Sequence, residues 1–165
     1  MTLNEAVEKM QLLAEEAKER LLVYGFDMKI ESEYMNASLR AVEDPKKAKY
    51  LTTALVVSGE GIKEGEEYCL SIGALINRGK VDDSQLESDS AKFSQMVDEM
   101  IETLDSYDDK VEGLHVLIEK ANEEYKKLVA EIEENQKKAK KMSAIINTVF
   151  IVGIFILFIV ALLRS

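Results

Sequence analysis

The sequence contains no tryptophan, a single proline, a single cysteine and a single histidine. With one cysteine the chain cannot build a disulfide framework, which is consistent with a reducing compartment. Di-iron bundles need two Glu-x-x-His motifs, so Glu112 and His115 by themselves do not form such a site. The residues that remain abundant, above all glutamate, lysine, alanine, leucine and methionine, are those that favour helices.

Motifs for catalysis and cofactor binding are missing as well. The stretch SGEGIKEG, residues 58–65, has glycines but neither a Gly-Lys-Ser/Thr ending nor the spacing of a dinucleotide-binding turn. Cys69 falls on an apolar stripe, and we interpret it as a buried structural thiol. No nucleophile lies beside a candidate base. We therefore predict that the protein is not an enzyme, with no catalytic residue, cofactor, metal ion or small-molecule substrate.

The charge of the chain is strongly negative, with 31 acidic and 21 basic residues. A surface of this sign repels nucleic acid, and it also keeps the body of the protein from lying flat on anionic lipid. We therefore predict no nucleic-acid partner. One basic cluster near the C-terminus suits lipid headgroups, and it consists of Lys137, Lys138, Lys140 and Lys141.

The longest apolar run covers residues 144–163, where Asn147 and Thr148 are the only polar side chains. A helix of this length, at about 1.5 Å per residue, spans the ~30 Å hydrocarbon core of a bilayer; the alternative is a buried core helix. The lysine cluster before the run predicts a cytoplasmic N-terminal side, and the N-terminus does not resemble a signal peptide. These features predict a single-pass, tail-anchored membrane protein with a cytoplasmic body and its C-terminus on the far side.

Apolar residues recur from Leu86 to Val149 at alternating steps of four and three residues. A repeat of 3.5 residues is typical of the seam of a coiled coil. Asn135 interrupts it with a polar side chain, which either sets the register of a buried seam or lies in an exposed turn. We predict that this seam pairs with other helices through Val97, Met100, Leu104, Tyr107, Val111, Leu114, Ile118, Tyr125, Leu128, Ile132 and Asn135.

The first half of the chain shows similar spacing with interruptions. Asp44 and Pro45 mark one boundary between segments, and Gly79 with Ser84 marks another. The stretch GFDMKIES, residues 25–32, alternates like a strand and leaves that alternative open. We predict an all-α fold, an antiparallel bundle of three long helices near residues 3–43, 46–78 and 84–163, with the third continuing as a coiled-coil helix into the transmembrane helix.

The predicted organisation has three parts. Residues 1–82 form an N-terminal helical hairpin, and residues 83–142 form a long heptad-repeat helix that ends in the juxtamembrane lysines. Residues 143–165 form the C-terminal anchor. The three apolar stripes face one another in such a bundle. Because the third predicted helix is the longest, it is expected to extend beyond the first two toward the membrane.

The stretch QMVDEMIETLDSYDDKV, Gln95–Val111, resembles the start of the SNARE motif of synaptobrevin-type proteins. The matching pieces are Val97-Asp98-Glu99 and Asp109-Lys110-Val111. The resemblance implies layers at Leu104, Tyr107, Val111, Leu114, Ile118, Ala121, Tyr125 and Leu128. SNARE proteins carry Arg or Gln in the central layer, whereas this register places Leu114 there.

These features favour a non-enzymatic protein that pairs through coiled-coil contacts at the cytoplasmic face of a membrane, as a tether or adaptor. The resemblance to SNARE proteins implies a role in membrane trafficking or fusion. The partner is then a helical protein or a second copy. Two alternatives stay open: an oligomerising membrane effector or structural subunit whose C-terminal helices assemble in the bilayer, and a homodimeric stalk.

Overall fold

A computed structural model describes residues 1–38, 40–63 and 65–164, without the side chains of Ile132 and of residues 143–164. The chain divides into two compact units, residues 1–121 and 122–165. Along the chain the elements are α1 (Leu3–Leu21), a 3-10 turn (Leu22–Tyr24), β1 (Asp27–Met35), a second 3-10 turn (Pro45–Lys47), β2 (Tyr50–Ser58), β3 (Tyr68–Asn77), β4 (Lys80–Val81), α2 (Asp83–Asp105) and α3 (Lys110–Arg164).

Helix α1 begins with a capping box at Thr2. The Thr2 hydroxyl accepts a hydrogen bond from the backbone N–H of Glu5, and the Glu5 carboxylate accepts one from the N–H of Thr2. These two bonds satisfy donors that the first turn of a helix leaves unpaired. The buried face of α1 contains small residues and consists of Ala6, Met10, Ala14, Ala17 and Leu21. Because alanine has little bulk, this face can approach the sheet closely.

The four strands form one antiparallel sheet in the order β1-β2-β3-β4. The inner strand β2 contains two valines, two threonines and one tyrosine, which fit a pleated and half-buried surface. Alternate residues of β2 and β3 point inward and are buried: Leu51, Thr53, Leu55, Val57, Leu70, Ile72, Ala74 and Ile76. Among these buried residues Thr53 is polar, and its hydroxyl lies 2.9 Å from the Ser32 hydroxyl of β1. Helices and sheet thus form two layers around one core.

Helix α2 covers the inner face of β3. Asp82 caps its start, because the Asp82 carboxylate accepts a hydrogen bond from the N–H of Gln85 at 3.0 Å. The buried residues of α2 recur at helical spacing and join the core beneath the sheet: Leu86, Phe93, Val97, Met100 and Leu104. This part of the predicted pairing seam therefore packs inside the protein.

Residues 106–109 separate α2 from α3. The ammonium group of Lys110 donates hydrogen bonds to the backbone oxygens of Leu104 at 2.9 Å and Tyr107 at 2.6 Å. Asp109 starts α3, since its carboxylate accepts a hydrogen bond from the N–H of Val111 at 2.9 Å. Leu104 lies in the last turn of α2, where carbonyls lack the usual partner four residues later, so Lys110 stabilises the break between the two helices.

Replacing Lys110 by methionine, which keeps the chain length and removes the charge, is expected to lower the free energy of unfolding by about 2 kcal/mol. The loss arises because two partly buried carbonyls lose a charged donor. Urea denaturation of the full-length chain measures it. Lys120→Met, at an exposed position of the same helix, is the matched control; an equal loss in both variants would contradict a capping role for Lys110.

The all-α prediction is wrong, because the fold is mixed and contains the four-stranded sheet. The helix predicted for residues 3–43 ends at Leu21, and β1 confirms the strand alternative for the stretch GFDMKIES. The helix predicted for 46–78 is replaced by β2 and β3. The helix predicted for 84–163 is interrupted at residues 106–109. Residues 1–82 are therefore not a helical hairpin, and the molecule is not a helical bundle.

The predicted transmembrane anchor falls on residues 144–163, whose side chains lie outside the described part of the chain. Among the residues that are described, no helix combines the length and the apolar character needed to cross a membrane. This finding contradicts the prediction of a single-pass, tail-anchored membrane protein, including its cytoplasmic body and its C-terminus on the far side.

Candidate helix-pairing surface

The predicted pairing seam is divided by the fold. Val97, Met100 and Leu104 lie in α2, and Leu114 and Ile118 lie in the first turns of α3; all five are buried in the core. Tyr107 and Val111 are half-buried at the break between the two helices. The five buried residues cannot contact a second chain while the first unit keeps its fold.

Beyond Ala121 the same series of positions is exposed. Tyr125 is 66% exposed, Leu128 54% and Met142 64%, and Asn135 is exposed as well. The side chain of Ile132 lies outside the described residues. Tyr125, Leu128, Asn135, Ala139 and Met142 repeat at steps of three, seven, four and three residues along α3. They therefore lie on one face of the helix, which we call the α3 stripe.

The α3 stripe is flanked by charges whose sign changes along the helix. Within residues 122–142, every acidic residue lies before Asn135, and the only charged residues after it are lysines. Lys137, Lys138, Lys140 and Lys141 are exposed. The Lys138 ammonium is 2.7 Å from the Glu134 carboxylate, one turn earlier. Contact of these lysines with lipid headgroups stays a prediction.

Tyr125 and Leu128 are large apolar side chains with more than half of their surface in water. Scattered apolar residues are normal on a protein surface, whereas a stripe at heptad spacing is the pattern of helices that pair. Fully burying one such side chain is worth about 1.5–3 kcal/mol. The stripe thus offers an apolar face that a second helix can cover.

Cys69 is exposed on the outer face of β3, which corrects its interpretation as a buried thiol. Although Cys69 is exposed as a residue, desolvation of its sulfur by neighbouring atoms, together with the carboxylates of Glu67 and Glu31, raises the pKa of this thiol. Within the described ranges, no group of three or more His, Cys, Asp or Glu residues could hold a metal ion. The absence of metal and catalysis stays a prediction.

Comparison with known proteins found no match for this chain among protein-family models, curated protein sequences or solved structures. The resemblance of residues 95–111 to SNARE proteins accordingly stays a hypothesis. The candidate surface rests on the geometry and the charges of α3.

Proposed function

We propose that the protein is a non-enzymatic tether or adaptor whose α3 stripe pairs with a helix of another chain. The observation that supports the proposal most directly is the exposure of Tyr125 and Leu128 at heptad positions. The same spacing is used in α2 to bury Val97 and Leu104 in the core. Because the apolar seam continues beyond the core of the first unit, we expect a partner to cover its exposed part.

The order of charges favours a second copy of the chain that runs in the opposite direction. In a parallel pair in register, the lysine cluster of one chain would lie beside the lysine cluster of the other, and like charges repel. In an antiparallel pair with Tyr125 opposite Met142 of the second copy, Leu128 comes opposite Ala139. Residues 122–134, with five acidic residues and two lysines, then lie beside residues 136–142 of the second copy, with four lysines, so the opposite net charges of the two halves attract each other.

The SNARE-like version of this function would require part of the first unit to unfold. Its layers include Leu104, Leu114 and Ile118, which are buried in the first unit. Pairing over the whole motif would therefore require α2 and the start of α3 to leave the sheet, exposing that part of the core to water. The proposal is confined to residues 122–142 for this reason.

Sedimentation equilibrium of the full-length chain tests the pairing. Leu128→Glu is expected to weaken self-association at least about tenfold, because it places a charge in an apolar contact. Ala130→Glu adds the same charge two residues away, on a different side of the helix, and is expected to change the association constant by less than about twofold. Equal effects of the two substitutions, or a monomeric parent chain, would refute self-pairing through the stripe.

Disulfide cross-linking tests the direction. In a Cys69→Ser background, a chain carrying Leu128→Cys is mixed with a chain carrying Ala139→Cys under mild oxidation. Antiparallel pairing predicts a mixed disulfide between the two chains and little product from Leu128→Cys alone. A homodisulfide formed by Leu128→Cys alone would instead indicate parallel pairing.

A further inference from the structure

A cleft opens in the first unit beside the hairpin that joins β3 to β4. The turn Pro45–Lys47 and the start of α1 form its other sides, and its volume is about 300 Å³. The lining residues are Leu3, Pro45, Lys46, Ala48, Lys49, Ile76, Arg78 and Gly79. Ala48 and Ile76 are buried and Leu3 is half-buried, so the cleft has an apolar floor.

The rim of the cleft is cationic. Lys46, Lys49 and Arg78 all line it, and no acidic residue is part of the lining. Within the part of the chain that the structure describes, none of these three side chains forms an ion pair with a carboxylate. This grouping stands out because the chain has 31 acidic residues available for pairing. Three neighbouring positive charges repel one another, and an anion between them would relieve that repulsion.

Arg78 also occupies a costly backbone position. Its φ is 50° and that of Gly79 is 74°, so both central residues of the two-residue β3–β4 turn are left-handed. Asn or Gly normally takes the first of these positions, since a longer side chain there is strained. A strained non-glycine residue is often one that contributes to a site through its side chain.

We propose that this cleft binds a phosphate monoester that carries a small apolar group. The planar guanidinium of Arg78 can donate two parallel hydrogen bonds to phosphate oxygens, and the two lysines add positive charge at the rim. The floor formed by Leu3, Ala48 and Ile76 accepts the apolar part of the ligand. A volume of about 300 Å³ leaves room for more than the phosphate group alone. This site is independent of the proposed pairing through α3.

Isothermal titration of the full-length chain tests the site with phenyl phosphate, inorganic phosphate and phenol. Phenyl phosphate is expected to bind saturably and more tightly than either of the other two probes. A triple variant, Lys46→Gln, Lys49→Gln and Arg78→Gly, is expected to bind it at least about tenfold more weakly. A control variant with the same change in charge carries Lys18→Gln, Lys63→Gln and Lys92→Gln, outside the cleft, and should retain the affinity.

The single substitution Arg78→Gly separates function from folding. It is expected to weaken phenyl phosphate binding and also to raise the midpoint of thermal unfolding, because glycine relieves the strain at this turn. Weaker binding therefore cannot be attributed to a damaged fold. Absence of saturable binding to every phosphate probe, or an equal loss in the control variant, would overturn the proposal.

A phosphate on a lipid headgroup has the same chemistry as a phosphate on a soluble metabolite. Flotation with phosphatidylcholine vesicles, with and without phosphatidylinositol 4-phosphate, distinguishes the two sources. A gain with phosphatidylinositol 4-phosphate that the triple variant loses identifies a headgroup as a ligand. Binding of phenyl phosphate without such a gain identifies a soluble ligand; either result supports the phosphate site.

Discussion

Leu104→Ala is expected to lower the free energy of unfolding of the first unit by about 3 kcal/mol, whereas Leu128→Ala changes it by less than about 0.5 kcal/mol. Both leucines belong to one apolar series in the sequence. Leu104 is fully buried in the core, so its truncation leaves a cavity, while Leu128 is 54% exposed. Urea denaturation of the two full-length variants, followed by circular dichroism, measures the difference.

Association distinguishes the same two variants, because only Leu128 is part of the α3 stripe. Leu128→Ala removes apolar area from the α3 stripe and is expected to weaken self-association, while its fold remains stable. Equal destabilisation by the two substitutions would show that Leu128 is also part of a folded core. That outcome would contradict the division of the seam into a buried part and an exposed part.

Ala14→Leu is expected to destabilise the protein by about 2–3 kcal/mol. Ala14 is completely buried on the face of α1 that packs against the sheet, where larger side chains come from the strands. Three additional carbon atoms there must push α1 away from the sheet or force neighbouring side chains out of their rotamers. The shift in the urea midpoint of the full-length variant measures this effect.

Ala130→Leu is the matched control for Ala14→Leu. Ala130 is exposed on α3, and alanine and leucine have similar helix propensities. The expected change in stability is therefore less than about 0.5 kcal/mol. If neither substitution changed the stability, the space between α1 and the sheet would accommodate a leucine. The small residues of α1 would then need another explanation.

The sheet was missed because the spacing of its core residues fits two structures. Leu51 and Leu55 are four residues apart, as are Ile72 and Ile76. A separation of four places two residues on one face of a helix and also on one face of a strand. The residues midway between these pairs distinguish the two structures. Thr53 and Ala74 are buried as well, and burial of every second residue is the pattern of a strand.

The break between α2 and α3 was missed for a related reason. The apolar steps continue through Tyr107 and Val111 without a change of phase, so the pattern contains no sign of an end. The end depends on Lys110, whose ammonium group donates hydrogen bonds to the backbone oxygen of Leu104 in α2 and to that of Tyr107 just beyond it. A lysine in a charged sequence does not reveal whether it will cap a helix or extend into water.

The site predicted from the sequence was only partly accessible in the structure. Tyr125, Leu128 and Asn135 are exposed, whereas Val97, Met100, Leu104, Leu114 and Ile118 are core residues. The phosphate cleft was not predicted at all. Lys46 lies in the turn Pro45–Lys47, Lys49 directly precedes β2, and Arg78 lies in the turn between β3 and β4. Only the pairing of β2 with β3 brings these three cations together.

By itself, the sequence determined the local features of this protein. The start of α1 near Leu3, the turn that Asp44 and Pro45 begin, and the boundary at Gly79 each depend on interactions across a few neighbouring residues. Only the tertiary structure decided which apolar residues became core and which stayed exposed. Leu104 and Leu128 belong to the same apolar series, and the physical difference between them is whether a sheet lies opposite.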